Sequence, residues 1–407
     1  MNAYFVLLNM KITPEKIRAY ALKNALAHEG KAQAPSVVSA LFNEGLERNK
    51  VKEIMPKIQE IIKEIEKLSL EKQKKQFEDL QDIVSERDHR EGLSELPNSN
   101  KGVIMRFRPA PSGPLHIGHI ISNLISSMYV KKYGGKFYII IDDTNPEEVL
   151  KDSYRKIKKD CDWIFGNASK YINSSDRMKL YYEYAKKLIK LKKVYVCTCS
   201  SEEFKKFSEN KKDCPCRKLS DKENKDRWNK MLDKNGYKAG EAVLRFKSNM
   251  QDPNPAMRDF PLARVNIHSH PKQGKKYRVW PLMNLVVAVD DMELKMTHII
   301  RGKDHRDNAL RQEMIFKVFN KKYPWTFFFG RVKFTDLVLS KRKITSLIKA
   351  GEFSGTDDER LPTIESLRKR GYTKQAFEKF VEQRGLTEVD KVISGKDLFN
   401  VLDNFNK

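Results

Sequence analysis

Residues 106–119 read Arg-Phe-Arg-Pro-Ala-Pro-Ser-Gly-Pro-Leu-His-Ile-Gly-His. The apolar, β-branched run Val103–Phe107 predicts a buried strand, and residues 116–133 show helical spacing that ends at a Gly-Gly pair. Together these segments predict the first βα unit of a nucleotide-binding sheet. The start of such a helix offers unpaired backbone N–H groups and a partial positive charge to phosphates. His116 and His119 lie there three residues apart, so both side chains can face one ligand.

The composition favours a polyanionic partner. The chain has 407 residues, in which 79 Lys and Arg exceed 54 Asp and Glu and leave a net charge of +25. This excess is typical of nucleic-acid binding, although a Lys-rich surface solvated beside Glu gives the same count. No apolar run reaches the roughly 18 residues of a membrane span, and the N-terminus lacks the pattern of a signal peptide. Five cysteines, four of them clustered, indicate reduced thiols, so we expect a cytoplasmic protein without membrane attachment.

The pattern of apolar residues separates a helical part from an α/β part. Isoleucines recur every three or four residues from Ile54 to Ile65, which predicts amphipathic helices, for example a helical hairpin, before a linker at 88–101. Apolar strands then alternate with helices, which predicts an α/β fold with a Rossmann-type parallel sheet. The predicted regions are 1–95 (helical N-terminal domain), 96–195 (first half of the sheet), 196–276 (insertion), 277–345 (second half, with sheet-like patterning at 277–289) and 346–407 (helical). Ligands collect at the carboxyl ends of parallel strands, where Asp142 and the 106–119 turn should lie.

Four cysteines form a candidate metal site. Cys197 and Cys199 are separated by one residue, as are Cys214 and Cys216. Four soft thiolates on two short turns suit tetrahedral Zn²⁺. The alternative is a loop that carries two cysteine pairs without a metal. Cys161 is isolated and is predicted to be a core residue.

Five ordered motifs carry a resemblance to a known family. They are Arg-Phe-x-Pro-x-Pro-Ser-Gly-x-Leu-His-Ile-Gly-His, Asp-Asp-Thr-Asn-Pro, Asn-Pro-Ala-Met-Arg-Asp, Arg-Gly-Lys-Asp-His and Asp-Asp-x-Arg-Leu-Pro-Thr. His-Ile-Gly-His resembles the HIGH signature of class I aminoacyl-tRNA synthetases, and Leu-Ser-Lys-Arg at 339–342 resembles their KMSKS loop. Over roughly residues 5–405 the chain resembles the archaeal–eukaryotic branch of the glutamyl/glutaminyl-tRNA synthetase family.

This resemblance implies a fold, a reaction and an ATP site. The fold is the class I Rossmann-type catalytic domain, with an acceptor-binding insertion, here holding structural zinc, and a helical stem-contact region. The reaction is ATP-dependent attachment of glutamate to the 2′-hydroxyl of tRNA(Glu) through glutamyl-adenylate, with Mg²⁺ and tRNA-dependent activation. The resemblance assigns catalysis to His116, His119 and Lys341. The implied ATP-binding residues are Pro109, Ser112, Gly113, His116, Gly118, His119, Gly302, Asp304, Leu339, Ser340 and Lys341.

The resemblance also implies a glutamate pocket of Arg106, Asp142, Met283 and Arg301. Arg301 matches the position that separates the two specificities. It favours glutamate, because a guanidinium pairs with a carboxylate but stays unpaired against an amide. An ion pair between Arg301 and Asp304 is the structural alternative.

Three residues depart from the family pattern. Met283-Asn284 stands where a Tyr-Asp or Tyr-His pair is common, so the expected phenol is missing there. Ile140 stands where an arginine is usual. Arg108 replaces a small residue, and the sequence leaves open whether it is a compensating cation or a surface change.

The sequence leaves open which residues contact tRNA. Arg217, Lys218, Arg342 and Lys343 are candidates for phosphate contacts or for solvated surface. Related enzymes continue into anticodon-binding β-barrels where this sequence stops. We therefore expect a fragment, a separate chain carrying that part, or recognition without the anticodon; the protein is otherwise expected to be monomeric, and charging of tRNA(Gln) stays open.

Three other functions are alternatives to glutamate–tRNA ligation. They are a shortened paralogue that charges another acceptor, a glutaminyl-tRNA synthetase, and a non-catalytic tRNA-binding subunit. The intact HIGH and KMSKS-like segments favour an enzyme over the last of these.

Overall fold

The computed structural model describes residues 12–84 and 92–407, which fall into two compact units, the first ending at His89. Residues 1–11 lie outside the described part, and with them the N-terminus considered for a signal peptide. The same holds for 85–91, which include the first part of the predicted linker. In the described ranges, no helix combines the length and hydrophobicity that crossing a bilayer requires.

The first unit contains α-helices that bury their apolar faces together. They are α1 (Pro14–Leu26), α2 (Ala34–Asn43), α3 (Val51–Glu66) and α4 (Leu70–Glu78). The isoleucine stripe from Ile54 to Ile65 is buried on α3, as its spacing predicts. The hairpin expected here is too small a unit, because α1 and α2 add the buried side chains of Leu22 and Leu41 to the same core.

The second unit begins with the predicted βα repeat. Its first elements are β1 (Val103–Phe107), α5 (Ile117–Tyr133), β2 (Gly135–Ile141), α6 (Ser153–Ile164) and β3 (Ala168–Asn173). Strands β1, β2 and β3 pair in parallel in that order. The strand and the helix predicted from the 106–119 turn are therefore confirmed.

An antiparallel sheet follows. The elements are α7 (Met178–Lys190), β4 (Val194–Cys197), α8 (Ser201–Glu209), α9 (Asp221–Leu232), β5 (Val243–Phe246), β6 (Pro261–Val265) and β7 (Val279–Pro281). The strands pair in the order β4-β5-β6-β7. The start of the predicted second sheet half thus pairs with the strands of the insertion.

The chain then returns to the parallel layer through α10 (Met283–Glu293), β8 (His298–Gly302), α11 (Arg306–Val318) and β9 (Trp325–Phe329). Strands β8 and β9 are parallel, and the Thr297 N–H donates to the Ile104 carbonyl at 3.0 Å beside β1. Strands β8 and β9 form a separate two-stranded sheet that this bond places next to β1, so the strands of the two parallel sheets lie in the order β3-β2-β1-β8-β9 of a doubly wound fold. The sheet-like patterning predicted at 277–289 is wrong beyond Pro281, because a continuous apolar run suits a buried helix as well as a strand.

The last segment packs on the same sheet. It contains β10 (Val332–Phe334), α12 (Lys341–Lys349), α13 (Ile364–Lys369), α14 (Lys374–Arg384), β11 (Lys391–Ile393) and α15 (Gly395–Phe405). Strands β10 and β11 form a short parallel pair that the expected all-helical ending does not include. Phe377 and Leu402 share one hydrophobic cluster with Phe107 and Phe137. The boundaries predicted at 195, 276 and 345 consequently lie inside this second unit.

Candidate active site

Two neutral histidines lie at the start of α5, in the segment 116–119, which we call the histidine turn. His116 caps the helix: its Nδ1 accepts the Gly118 N–H at 3.2 Å, and Nδ1 of His119 accepts the His116 N–H at 3.1 Å. Burial, with the nearby charge of Lys341, lowers the pKa of His116 to about 3 and holds that of His119 well below its usual value. Neutral rings that accept at Nδ1 carry their proton on Nε2. Both rings therefore keep an Nε2–H donor for a ligand.

Lys341, which comes late in the sequence, lies beside this turn. It is the first residue of α12, its Nζ donates to the Ala110 carbonyl at 2.9 Å, and burial lowers its pKa to about 8. A Cβ on Gly113 would lie 3.0 Å from the Cβ of Lys341, so a glycine permits the close approach. Leu339 likewise comes within 3.6 Å of the place of a Cβ on Gly118.

The remaining predicted ATP residues lie near the same sheet edge. Pro109 accepts the Asp142 N–H at 2.9 Å, and Ser112 is half-buried in the turn. Ser340 caps α12 by accepting the Lys343 N–H. Gly302 ends β8, and the exposed Asp304 follows it, with its carboxylate 3.3 Å from Arg331.

Backbone hydrogen bonds fix the histidine turn from a second side. The Ile117 N–H donates to the Pro362 carbonyl at 2.9 Å, and the Ile364 N–H donates to the Leu115 carbonyl at 3.0 Å. The Asp-Asp-x-Arg-Leu-Pro-Thr motif therefore ends against the first turn of α5. Its sequence gave no physical reason to expect this contact.

Arg106 is held by an acid that the sequence analysis missed. Its Nε and Nη2 donate to the two carboxylate oxygens of Asp291 at 2.5 and 2.8 Å, and both side chains are almost fully buried. Asp290 and Asp291 lie inside the apolar run of α10. Two adjacent acids in such a run were the available signal, since a buried carboxylate needs a cationic or hydrogen-bonding partner.

Arg301 is a half-buried cation without a carboxylate partner. Its Nη1 donates to Oε1 of Gln312 at 2.8 Å. No carboxylate oxygen in the described residues lies within 4.0 Å of its guanidinium nitrogens, and Asp304 pairs with Arg331 instead. Burial and the positive charge of Arg106 lower the pKa of Arg301. The alternative ion pair with Asp304 is therefore not found.

Arg108 is a compensating cation rather than a surface residue. Its buried guanidinium lies 3.2 Å from Asp142 and 2.8 Å from Asp290, and it donates to Ser174 Oγ at 2.8 Å. Arg177 also pairs with Asp290, at 2.8 Å. Two arginines thus balance two aspartates, one of which, Asp142, belongs to the predicted glutamate pocket.

The other two departures from the family pattern are apolar. Met283 is the half-buried first residue of α10. Ile140 is fully buried beside Ile172 and Met296, where it serves packing. A phenol does lie near Arg301, but it comes from Tyr323, which donates to Gln312 at 3.0 Å and which the sequence analysis did not single out.

The four clustered cysteines have the geometry of a metal site. All four Sγ atoms lie within 4.8 Å of one another, and three of the separations are 3.3, 3.6 and 3.9 Å. Zn–S bonds of about 2.3 Å in a tetrahedron place sulfur atoms about 3.8 Å apart. The donor set therefore fits Zn²⁺. Cys161 lies apart from them in the sheet core, where burial raises the pKa of its thiol.

The four residues predicted to contact tRNA differ in exposure and in whether their charges are paired within the protein. Arg217 is mostly buried and pairs with Asp259 at 2.5 Å and with Asp213 at 3.2 Å, so it is used within the protein. Arg342 pairs with Glu148 but is 87% exposed. Lys218 and Lys343 are exposed.

Comparisons with known proteins point to one family. Residues 102–404 match the family model described as tRNA synthetases class I (E and Q), catalytic domain. A glutamate–tRNA ligase of Methanocaldococcus jannaschii is 41% identical over 388 residues, which cover 95% of this chain and 70% of that protein. A glutamate–tRNA ligase of Pyrococcus furiosus is 40% identical over 391 residues, or 93% and 68% of the two chains.

A solved structure shows a similar fold. It is a glutamate tRNA ligase from Elizabethkingia meningosepticum in complex with its amino acid, with a TM-score of 0.52 and 18% identity. The match covers 74% of this chain and 68% of that one. At this identity the likeness concerns the fold alone.

Proposed function

Because the chain belongs to the class I tRNA synthetases of glutamate and glutamine, we propose that it joins glutamate to tRNA(Glu) through the groups described above. It is an ATP-dependent glutamate–tRNA ligase. In the first step a glutamate carboxylate oxygen attacks the α-phosphorus of ATP and pyrophosphate leaves. In the second, the terminal 2′-hydroxyl of tRNA attacks the carbonyl carbon of glutamyl-adenylate and AMP leaves.

The unpaired charge of Arg301 is the observation that supports glutamate as the substrate. Arg106 and Arg301 bring two positive charges, and Asp291 brings one negative charge. Arg108 and Arg177 balance Asp142 and Asp290. These seven groups therefore sum to +1, whereas glutamate carries a net charge of −1 and glutamine carries none. A carboxylate at Arg301 gains a charge-assisted bond that an amide cannot replace.

The substrate's other charged groups have candidate partners. We assign its α-ammonium to Asp142, which follows β2 and which Arg108 holds in place at 3.2 Å. We assign a carboxylate contact to Arg106, whose bonds to Asp291 use Nε and Nη2 and leave Nη1 available. Met283 contributes apolar contact beside this pocket.

Phosphoryl chemistry is assigned to the two histidines and Lys341. The Nε2–H groups of His116 and His119 donate to phosphate oxygens without adding charge, and they do so at the positive end of the α5 dipole. Lys341 supplies a positive charge. Its stabilising effect increases as negative charge accumulates on the leaving pyrophosphate. Mg²⁺, which enters with ATP, neutralises part of the triphosphate charge.

The insertion at 196–276 and the region at 346–407 are assigned to tRNA. We propose that zinc on Cys197, Cys199, Cys214 and Cys216 braces the insertion against the acceptor end, and that 346–407 contacts the stem. Lys218, Arg342 and Lys343 would supply phosphate contacts, while Arg217 holds the insertion through Asp259. The helical N-terminal domain stays without an assigned role.

Amino-acid-dependent pyrophosphate exchange tests the proposal. We expect exchange with glutamate in the presence of tRNA(Glu) and little with glutamine. Arg301→Cys should lower kcat/KM for glutamate by about 100-fold, because it removes a charge-assisted pair. Arg155→Cys, which removes an exposed arginine of α6 that has no role in the site, is the matched control and should keep glutamate use.

Two outcomes would refute the assignments. No exchange with any amino acid, with tRNA and a supplied anticodon-binding chain present, would remove the enzyme reading. Unchanged glutamate use in Arg301→Cys would remove the role of Arg301. A monomeric state, apart from a chain that carries the anticodon-binding part, stays a prediction that light scattering tests. Whether tRNA(Gln) is also charged is open, and aminoacylation of each tRNA decides it.

A further inference from the structure

Gln312 is a fully buried amide that faces the charge of Arg301 from α11. Its side chain is 0% exposed. Its Oε1 accepts two hydrogen bonds, one from Arg301 Nη1 at 2.8 Å and one from the Tyr323 hydroxyl at 3.0 Å. The amide oxygen of Gln312 therefore accepts hydrogen bonds from both Arg301 and Tyr323.

The orientation of this amide is determined on its other side. Nε2 of Gln312 donates to Oδ1 of Asn284 at 3.3 Å. A flipped amide would direct N–H groups at the guanidinium and at the phenol, two groups that already donate. Asn284 and Tyr323 thus hold the oxygen of Gln312 toward Arg301.

The important chemical property of Gln312 is that it is neutral. A carboxylate at this position would orient the guanidinium equally well, but it would also neutralise it. The substrate's carboxylate would then meet a cation that is already paired, and the site would lose its preference for charge. An amide holds the guanidinium and leaves its charge for the substrate.

We propose that Gln312 is a positioning residue that, braced by Tyr323 and Asn284, holds Arg301 in place as an unneutralised cation and so sets the specificity for a side-chain carboxylate. This inference rests on the proposed role of Arg301 in binding glutamate. It adds that the specificity belongs to a three-element arrangement of α10, α11 and the segment before β9, and not to one arginine.

Two substitutions at Gln312 separate charge from position. Gln312→Glu keeps the shape and the acceptor but adds a negative charge. Gln312→Met keeps neutrality and approximate length but removes the acceptor. Gln383→Glu, the same chemical change at an exposed position of α14, is the matched control.

The experiment measures pyrophosphate exchange with the full chain, tRNA(Glu), and either glutamate or glutamine. For Gln312→Glu we expect KM for glutamate to rise about 100-fold, KM for ATP to stay constant, and the preference for glutamate over glutamine to fall by a similar factor. For Gln312→Met we expect KM for glutamate to rise about tenfold with the preference for glutamate retained. Gln383→Glu should behave as the unmodified chain.

The outcomes distinguish failure of the inference from failure of the proposed function. If Arg301→Cys loses glutamate use but Gln312→Glu keeps its KM and its preference, Gln312 is only a packing residue and the inference is overturned. If Arg301→Cys also keeps glutamate use, the proposed role of Arg301 fails and the inference fails with it. Should Gln312→Glu not fold, as judged by its melting curve, an unchanged KM for glutamate in Gln312→Met overturns the inference.

Discussion

Lys341 shows at the scale of one residue how the fold prepares a group for catalysis. Burial against the histidine turn lowers its pKa from 10.5 to about 8. The amine is then mostly charged at pH 7 and loses its charge as the pH rises through about 8. Its positive charge also disfavours protonation of His116 and His119, which keeps them as neutral donors.

This pKa predicts an alkaline limit on ATP use. We expect kcat/KM for ATP to fall as the pH rises above about 8, because kcat/KM reports the ionisation of the free enzyme. Lys341→Arg should move this limit to higher pH, since a guanidinium stays charged throughout the range. Pyrophosphate exchange at subsaturating ATP from pH 6.5 to about 10 is the measurement.

A control at the other end of the same helix makes the test specific. Lys349 is exposed in the last turn of α12. The variant Lys349→Arg should keep the alkaline limit of the unmodified chain. An identical pH profile for Lys341→Arg would show that another group sets the limit and would contradict the assignment.

At the scale of elements, the four cysteines join the end of β4 to the short turn before α9. Bound zinc would cross-link these two segments, and its binding energy would add to the stability of the insertion. We therefore expect about one zinc per chain and a lower melting temperature after Cys199→Ser or treatment with a chelator. Metal analysis by mass spectrometry and a thermal melt are the measurements.

Cys161→Ala is the matched control for the metal. This thiol lies in the sheet core, away from the four sulfur atoms, so the variant should keep its zinc even where its packing is weakened. Less than about half an equivalent of zinc in the unmodified protein would instead favour a loop with two unmetallated cysteine pairs.

The sequence predicted elements well where one periodicity was clear. The run Val103–Phe107 and the helix after it were recoverable because a turn rich in Pro and Gly separates a short apolar run from a segment with helical spacing. The helix Met283–Glu293 was not, because its residues are buried on nearly every side and show no polar face. The short strand Lys391–Ile393 was missed because it is defined by its pairing with β10.

The residues of the site also differ in whether they could be identified from the sequence. Residues inside contiguous motifs, such as His116 and Lys341, could be identified from their order alone. Asp291 could be singled out as an acid in an apolar run, but its partner Arg106 could not, because the two are distant in the sequence. Gln312 and Tyr323 could not be identified, because their importance comes from their contacts with each other and with Arg301. The role of Arg108 as a compensating cation follows only from the structure, which places Asp142 and Asp290 beside its guanidinium.

At the scale of the whole molecule, the residues assigned to chemistry all belong to the second unit. The first unit has a hydrophobic core of its own, built from side chains between Ile12 and Val84. The second unit has the cores of the parallel and antiparallel sheets. Each unit therefore has the buried apolar surface that independent folding requires.

Removal of the first unit should consequently leave the chemistry intact. We expect residues 92–407 alone to fold, and to show glutamate-dependent pyrophosphate exchange at saturating tRNA with unchanged KM values for ATP and glutamate. Arg301→Cys in the shortened chain should abolish the preference for glutamate, as we expect in the full chain. A cooperative melt that coincides with the main transition of the full chain would show that the second unit folds by itself. A shortened chain that melts cooperatively but gives no exchange would show that the first unit contributes to catalysis, and would contradict the placement of all reacting groups in residues 92–407.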